Sequence, residues 1–325
     1  MYMILITGGT GRIGNVLVKE LIKRGEKIKV LIRKTSNLKS LEGCNCKYIY
    51  GDILDPQTIE TQLEDVDTIF HLAAHINIST HDKDLTLNTN IQGTKNIVDI
   101  CMRHNLPLIY TSSIHAFDAP ENGGLITEET PLCTNLLTSR GLYDYSKGTA
   151  ATYVKEQEAK GLKAIVLHPT GVVGPYDYRP SFFGAGMIQL IKTKIQSTVG
   201  GKYDYVDVRD VVDAIIKAYD LKKYGQRYIL SGEILTMQSY TAYLRELQGI
   251  HGITKILEEG ISMFIGVISS FFDKKSQITP YSLRTLLSNC NISHAKATRE
   301  LGYNPRSILQ SIHDQYTWFQ EYGYI

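Results

Sequence analysis

Short, nearly continuous apolar runs alternate with stretches of helical period through the first half of the chain. The runs Met3–Thr7, Lys27–Ile32, Lys47–Tyr50, Thr68–Ala73, Leu108–Ser112 and Ala164–Leu167 predict strands. Runs this short and this apolar suit a parallel sheet covered on both faces. Between the first two, Ile13, Val16, Leu17 and Leu21 share one face at helical spacing. Lys19, Glu20, Lys23 and Arg24 fall mostly outside it, and Gly25 supplies the stop. Strand, helix and strand repeated in this order predict right-handed βαβ units and a doubly wound α/β fold.

After about Pro169 the rhythm changes. Gly171, Gly174, Pro175, Pro180, Gly184 and Gly186 crowd one region and predict loops. Tyr205–Ala218 reads as a return to the sheet, Arg227–Leu230 as one more strand, and everything from Thr236 onward as helical and irregular. The expected division is a larger unit of residues 1–168 plus about 205–232, and a smaller, mostly helical unit of about 169–204 plus 233–325.

The first predicted strand runs into Thr7-Gly8-Gly9-Thr10-Gly11-Arg12-Ile13-Gly14, which opens the first predicted helix. Glycines at this spacing permit a tight turn, close approach of a pyrophosphate to bare backbone, and packing of helix on strand. The free N–H groups and positive dipole end of the helix complete a phosphate site. A glycine triplet alone is weak evidence, but strand, loop and amphipathic helix stand here in the required order. The loop therefore predicts dinucleotide binding, with Gly8, Thr10, Gly11, Arg12 and Ile13 among its contacts.

At the end of the second strand, an Asp or Glu would bond the ribose 2′-hydroxyl of NAD. The chain instead reads Leu31-Ile32-Arg33-Lys34-Thr35-Ser36. Arg33 is read as gripping a 2′-phosphate through forked hydrogen bonds, which favours NADP(H) over NAD(H). The plainer alternative is a solvated basic turn.

Tyr143-Asp144-Tyr145-Ser146-Lys147 places a phenol and an ammonium one helical turn apart. Hydride transfer to a carbonyl needs a proton for the developing alkoxide, and a nearby cation is expected to draw a phenol toward working range. Tyr219 and Lys223 have the same spacing, so position must decide. Tyr143 begins a helix between the fifth and sixth strands, close to the strand ends where ligands bind, whereas Tyr219 ends a helix. Ser113, at the end of the fifth strand, is placed to hydrogen-bond the substrate oxygen as charge builds there. The catalytic set expected is Ser113, Tyr143 and Lys147.

Together these residues resemble the extended short-chain dehydrogenase/reductase family of NAD-dependent epimerase/dehydratase type, over nearly the whole chain. The resemblance implies a Rossmann fold with a smaller C-terminal substrate domain. It implies that Asp52 and Ile53 lie at the adenine, Ala73 and Ala74 beside the ribose and phosphates, and Pro169 and Thr170 on the nicotinamide side. Tyr143 and Lys147 would also touch the cofactor, with Asn90 buried behind the site. Residues 206–211 and 300–305 are further family-like marks.

Within the family the chain is most similar to dihydroflavonol-reductase-like enzymes and hopanoid-associated epimerase-like proteins. Two departures bear on the reaction. Sugar-nucleotide enzymes of the family commonly carry an Asn where this chain has Gly171, and dehydratases add acidic residues where it has Ile114 and His115. The expected activity is thus NADPH-dependent reduction of an aldehyde or ketone. An NAD-dependent nucleotide-sugar epimerase and a non-catalytic dinucleotide sensor are the alternatives. A homodimer through two long helices is what the family implies.

Composition changes this picture little. In 325 residues, 43% hydrophobic and 21% charged with a formal charge of +2, nothing points to nucleic acid as a partner. Five scattered cysteines argue against a disulfide scaffold and for a reducing compartment, read as cytoplasmic. The charge-free stretch from Gly260 to Phe272 falls short of the ~20 residues of a membrane span and reads as a buried helix or channel wall. His71 and His75 have metal-sharing spacing only on a helix, and His71 is expected in a strand. His115 and His168, with Phe117, Tyr178, Phe182 and Phe183, are candidates either for substrate contact or for core.

Overall fold

A computed structural model describes residues 3–76, 82–120, 123–193, 197–252, 254–258, 279–288 and 290–325. The stretch from Gly260 to Phe272 lies outside them. Seven strands form the central sheet: β1 Met3–Thr7, β2 Ile28–Ile32, β3 Lys47–Tyr50, β4 Val66–His71, β5 Leu108–Thr111, β6 Ala164–Pro169 and, later, β10 Gln226–Leu230. Their order is β3-β2-β1-β4-β5-β6-β10, and every pairing is parallel. This is the Rossmann arrangement, winding outward in both directions from β1 and β4. A crevice opens at that reversal, beyond the C-terminal strand ends.

The strands lack polar alternation because both faces are buried. Ile4, Ile6, Val30, Phe70 and Ile165 enter one apolar cluster; Leu5, Leu31, Ile69, Val166 and Leu108 enter the other. The helix Arg12–Lys23 presents Val16, Leu17 and Leu21 to the first cluster, joined by Val208, Val211, Val212 and Ile215 of the helix Val208–Asp220. Tyr219, the competitor for the catalytic role, ends this second helix and packs edge-on against Phe70, 5.1 Å between ring centroids.

The region predicted as loops after Pro169 is partly regular, a correction to the glycine reading. It holds β7 Gly171–Val173 and the helix Phe182–Thr193. Two of its glycines answer packing, not chain breaking. A Cβ at Gly184 would sit 2.1 Å from an Asp177 oxygen, and one at Gly171 would sit 2.7 Å from the Tyr205 ring. Two more strands, β8 Ser197–Val199 and β9 Lys202–Asp207, precede the return to the main sheet. Strand β9 pairs with β7 and with β11 Glu233–Thr236 in a separate small sheet. The stretch after Thr236 is mainly helical but includes β12 Lys255–Leu257, paired with β8.

A third apolar cluster unites this part, with Met187, Tyr205, Tyr240, Ile312, Trp318 and Phe319 at its centre. The two later family-like marks come close nearby, where Arg306, the residue after the second, donates from Nε to Asp210 Oδ1 of the first at 2.8 Å. No helix among the described residues is long and apolar enough to cross a membrane.

Two fully buried histidines flank the sheet. His71, ending β4, is held between the Thr7 and Thr94 hydroxyls at 2.7 and 3.1 Å. His168 Nδ1 donates to the Ser113 carbonyl at 3.1 Å. Burial pushes both down from 6.5 to about 3. Their folded values lie below the unfolded one, so as pH falls below about 6.5 the unfolded chain takes up protons that the native chain refuses. Stability is therefore expected to drop by up to about 1.4 kcal/mol per pH unit for each histidine, down to pH 3. Urea unfolding at pH 7 and pH 5 checks this, with His168→Gln expected to flatten the dependence.

Candidate active site

The glycine loop forms because β1 must turn at once into a helix lying against the sheet. Gly8 has φ +73°, and a Cβ there would stand 2.6 Å from the Ala73 nitrogen. A Cβ on Gly14 would meet the Gly8 carbonyl at 2.2 Å. At Gly11 the nearest atom, the Gly8 oxygen, is 3.1 Å away. Gly11 begins the helix Arg12–Lys23, and no side chain caps that end. Bare backbone with uncapped N–H groups at a crevice is a cradle that fits a pyrophosphate.

The other residues singled out for the cofactor lie in this loop or at the C-terminal ends of the strands. Ala73 donates its N–H to Thr7 Oγ1 at 3.3 Å, which puts Ala73 and Ala74 alongside the loop. The Thr10 carbonyl accepts from Ser40 at 3.1 Å, and Ile13 packs onto the first cluster. Arg33 is exposed just beyond β2, where its N–H donates to Ser36 Oγ at 2.9 Å. Asp52 caps its own turn by accepting from the Leu54 N–H at 2.9 Å, while Ile53 is buried against Gly93. Pro169 ends β6, and the next residue, Thr170, gives its hydroxyl to Asp204 at 2.6 Å. Burial raises that Asp204 carboxyl to about 6, against the Thr170 and Gly232 hydrogen bonds.

Ser113, Tyr143 and Lys147 come together. Ser113 follows β5; Tyr143 and Lys147 lie in the helix Leu142–Glu158 and face inward with the phenol 7% exposed and the lysine 2%. Burial pushes the Tyr143 phenol above its usual value, and the pull of Lys147 and of a hydrogen bond with Ser113 does not overcome it. The expectation that the lysine draws this phenol into working range is thus outweighed by desolvation. Burial also works against the Lys147 ammonium, but the Tyr110 and Tyr143 phenols outweigh it and hold it charged. The Lys147 nitrogen lies 5.3 Å from the Tyr110 ring centroid. Behind the helix, Asn90 sits in a π-helical turn and donates to Ser146 Oγ at 2.9 Å and to the His75 carbonyl at 3.0 Å.

Several contacts that matter here escaped the sequence reading. The Arg12 side chain does not face the cradle. It bonds the Gly174 carbonyl at 2.7 Å and pairs with Asp177 at 2.7 Å, tying the loop to the segment after β7. Burial lowers His75, with Asp82 opposing the fall and Arg33 and Arg179 adding to it. Asp144 and His115 bond each other at 3.0 Å beside Tyr143. None of these has a local spacing signal, because each partner comes from a distant part of the chain. The aromatic candidates are mostly core: Phe117 packs at a tilt against His168, Tyr178 edge-on against Trp318, and Phe183 at a tilt against Tyr205 and Tyr240, while Phe182 is exposed.

Comparisons with known proteins agree with this fold. The chain is similar to sterol demethylase protein B of Methylococcus capsulatus, 30% identical over 99% of each chain. A putative dihydroflavonol 4-reductase of Synechocystis is 26% identical over 98% of this chain and 95% of its own length. Among solved structures, gox2253 superposes with a TM-score of 0.87 at 26% identity and full coverage of both chains. The model of the NAD dependent epimerase/dehydratase family matches residues 4–230, from β1 through β10. The chain belongs to that family, and is an NAD(P)-dependent oxidoreductase acting on CH–OH and carbonyl groups.

Proposed function

We propose that the protein is an NADPH-dependent reductase of an aldehyde or ketone, running reversibly as an alcohol dehydrogenase. The observation that carries this reading is the convergence of Ser113, Tyr143 and Lys147 beside an open glycine cradle. The bound cofactor supplies the hydride. Ser113 orients the carbonyl, and Tyr143 gives its proton to the oxygen as negative charge develops. Its raised pKa suits this direction, because the phenol stays protonated at neutral pH. Lys147, held charged at its side, favours the phenolate that this transfer leaves behind.

Gly171 speaks against a nucleotide-sugar epimerase. The Tyr203 and Tyr205 rings fill the space where any side chain at this position would project, 3.0 and 2.7 Å from a Cβ. No amide can reach out from there to a substrate diphosphate. The wall is aromatic and favours a substrate with an apolar body. The names of two further relatives, cinnamoyl-CoA reductase 1 of Petunia hybrida and 3-beta-hydroxysteroid dehydrogenase of Mycolicibacterium neoaurum, are in keeping with such substrates.

The test begins with purified protein checked for retained nucleotide, then titrated with NADPH and NADH and assayed on a panel of aldehydes and ketones. Preference for NADPH and its consumption with a panel compound are expected. Arg33→Ala should weaken NADPH by about 10- to 100-fold, the worth of hydrogen bonds to a charged group, and leave NADH unchanged. Tightly retained NAD that is not consumed would instead favour the epimerase. Firm NADPH binding without turnover of any compound would favour a dinucleotide sensor.

A further inference from the structure

Beside Tyr143 lies a cluster of side chains that this chemistry leaves without a task. At its centre is the Asp144 carboxylate, 2% exposed. It accepts from His115 Nδ1 at 3.0 Å, from Arg140 Nε at 2.6 Å and from the Tyr281 hydroxyl. Burial alone would raise this carboxyl; His115, Arg140 and Tyr281 reverse that and hold it at about 2. The other nitrogen of His115, Nε2, is 2.8 Å from the Tyr203 hydroxyl. With Asp144 and Tyr281 on Nδ1 and Tyr203 on Nε2, the ring is held at both nitrogens, which fixes its orientation.

The cluster touches both working residues. The His115 backbone N–H donates to Ser113 Oγ at 3.2 Å, so anchoring the ring also anchors the turn that holds Ser113, and the ring meets Tyr143 edge-on with centroids 5.5 Å apart. Asp144 directly follows Tyr143 in the first turn of their helix, whose N-cap, Gly141, makes no side-chain capping bond. The outer partners come from the other half of the chain. Tyr203 lies on β9, and Tyr281 on the helix Pro280–Leu287. Arg140 also reaches that side, donating to Ser288 Oγ at 3.2 Å. The second half thus meets the Ser–Tyr pair through His115 and Asp144.

We propose that His115 and Asp144 are positioning residues that hold Ser113 and Tyr143 in register for proton transfer, a hold that Tyr203 and Tyr281 complete from the second half of the chain. This rests on the reductase reading. Displacing a reacting group by about an ångström costs on the order of 10²-fold in rate, so a lock of this kind acts on kcat more than on binding.

The test uses the full-length protein, NADPH, and whichever panel compound the wild type reduces fastest. His115→Ala should lower kcat by about 10²-fold, with KM for the compound and affinity for NADPH little changed. His115→Asn, whose amide can donate to Asp144 from near the place of Nδ1, should restore most of that loss. His115→Gln reaches toward Tyr203 instead and should restore less. Tyr281→Phe removes one oxygen without threatening the fold and should lower kcat by about tenfold, the worth of one such hydrogen bond. The proposal is overturned if His115→Ala and Tyr281→Phe keep wild-type kcat, if the loss lies wholly in NADPH affinity, or if asparagine rescues no better than alanine. A wild-type chain that reduces no panel compound overturns the reductase reading itself. An active wild type with indifferent variants overturns the positioning role alone.

Discussion

Replacing Tyr143 with Phe is expected to lower turnover by about 10³- to 10⁴-fold while leaving NADPH affinity within reach of the wild type. General acid catalysis contributes on the order of 10²- to 10⁴-fold, and here the phenol is the only proton donor assigned to the carbonyl oxygen. The substitution removes one oxygen from a ring that is 7% exposed, so packing is nearly conserved. Stopped-flow binding and steady-state assays on the same preparation separate the two effects. The raised phenol pKa adds a signature with a definite sign. Reduction needs the protonated phenol, so its rate holds through neutral pH and falls only as the phenol ionises. Oxidation of the alcohol needs the phenolate, so its rate climbs as pH rises. Turnover in Tyr143→Phe close to that of the wild type would remove the mechanism.

Asp177→Ala is expected to destabilise the chain by about 3 kcal/mol, because it leaves the largely buried Arg12 guanidinium with only the Gly174 carbonyl as partner. Asp177 is 1% exposed and Arg12 11%, so water can do little for the charge left behind. The same carboxylate accepts from the Ser181 N–H and hydroxyl, at 2.9 and 2.8 Å, and from Gln315 Nε2 at 3.3 Å. It therefore ties the glycine loop, the helix Phe182–Thr193 and the C-terminal helix Ile308–Glu321 at one point. Replacing both partners together, Arg12→Met with Asp177→Leu, should recover much of the loss, since an apolar pair carries no desolvation cost. Urea unfolding of the single and double variants measures both effects. A single variant within about 1 kcal/mol of wild type would mean that the ion pair contributes little beyond its own desolvation.

Local pattern and long-range contact explain what could be read beforehand and what could not. The seven strands of the central sheet were legible to within two residues because most of them are short, apolar and buried on both faces, whereas most strands of the smaller sheets carried no such signal. The glycine loop was legible because close backbone approach at Gly8 and Gly14 tolerates no other residue. Tyr143 and Lys147 share a helix face, and their position separated them from the identical spacing at Tyr219 and Lys223. The second half was harder. There the glycines at 171 and 184 make room for Tyr205 and Asp177, and composition alone cannot tell such packing from a turn. The fall of the Tyr143 pKa was also misjudged, because the charge pattern shows the cation but not the depth of burial. Arg12 with Asp177, and Asp144 with His115 and Tyr281, are pairings that only the folded chain brings within reach.

The most direct test of the reductase account follows the hydrogen. NADPH carrying deuterium at the transferable position of the nicotinamide is incubated with the protein and the panel compound it consumes, and the product is examined by mass spectrometry. The account predicts one deuterium on the carbinol carbon for each NADPH oxidised, and none formed by Tyr143→Phe above a background about 10³-fold lower. Product that forms without deuterium, or without loss of NADPH, would contradict it.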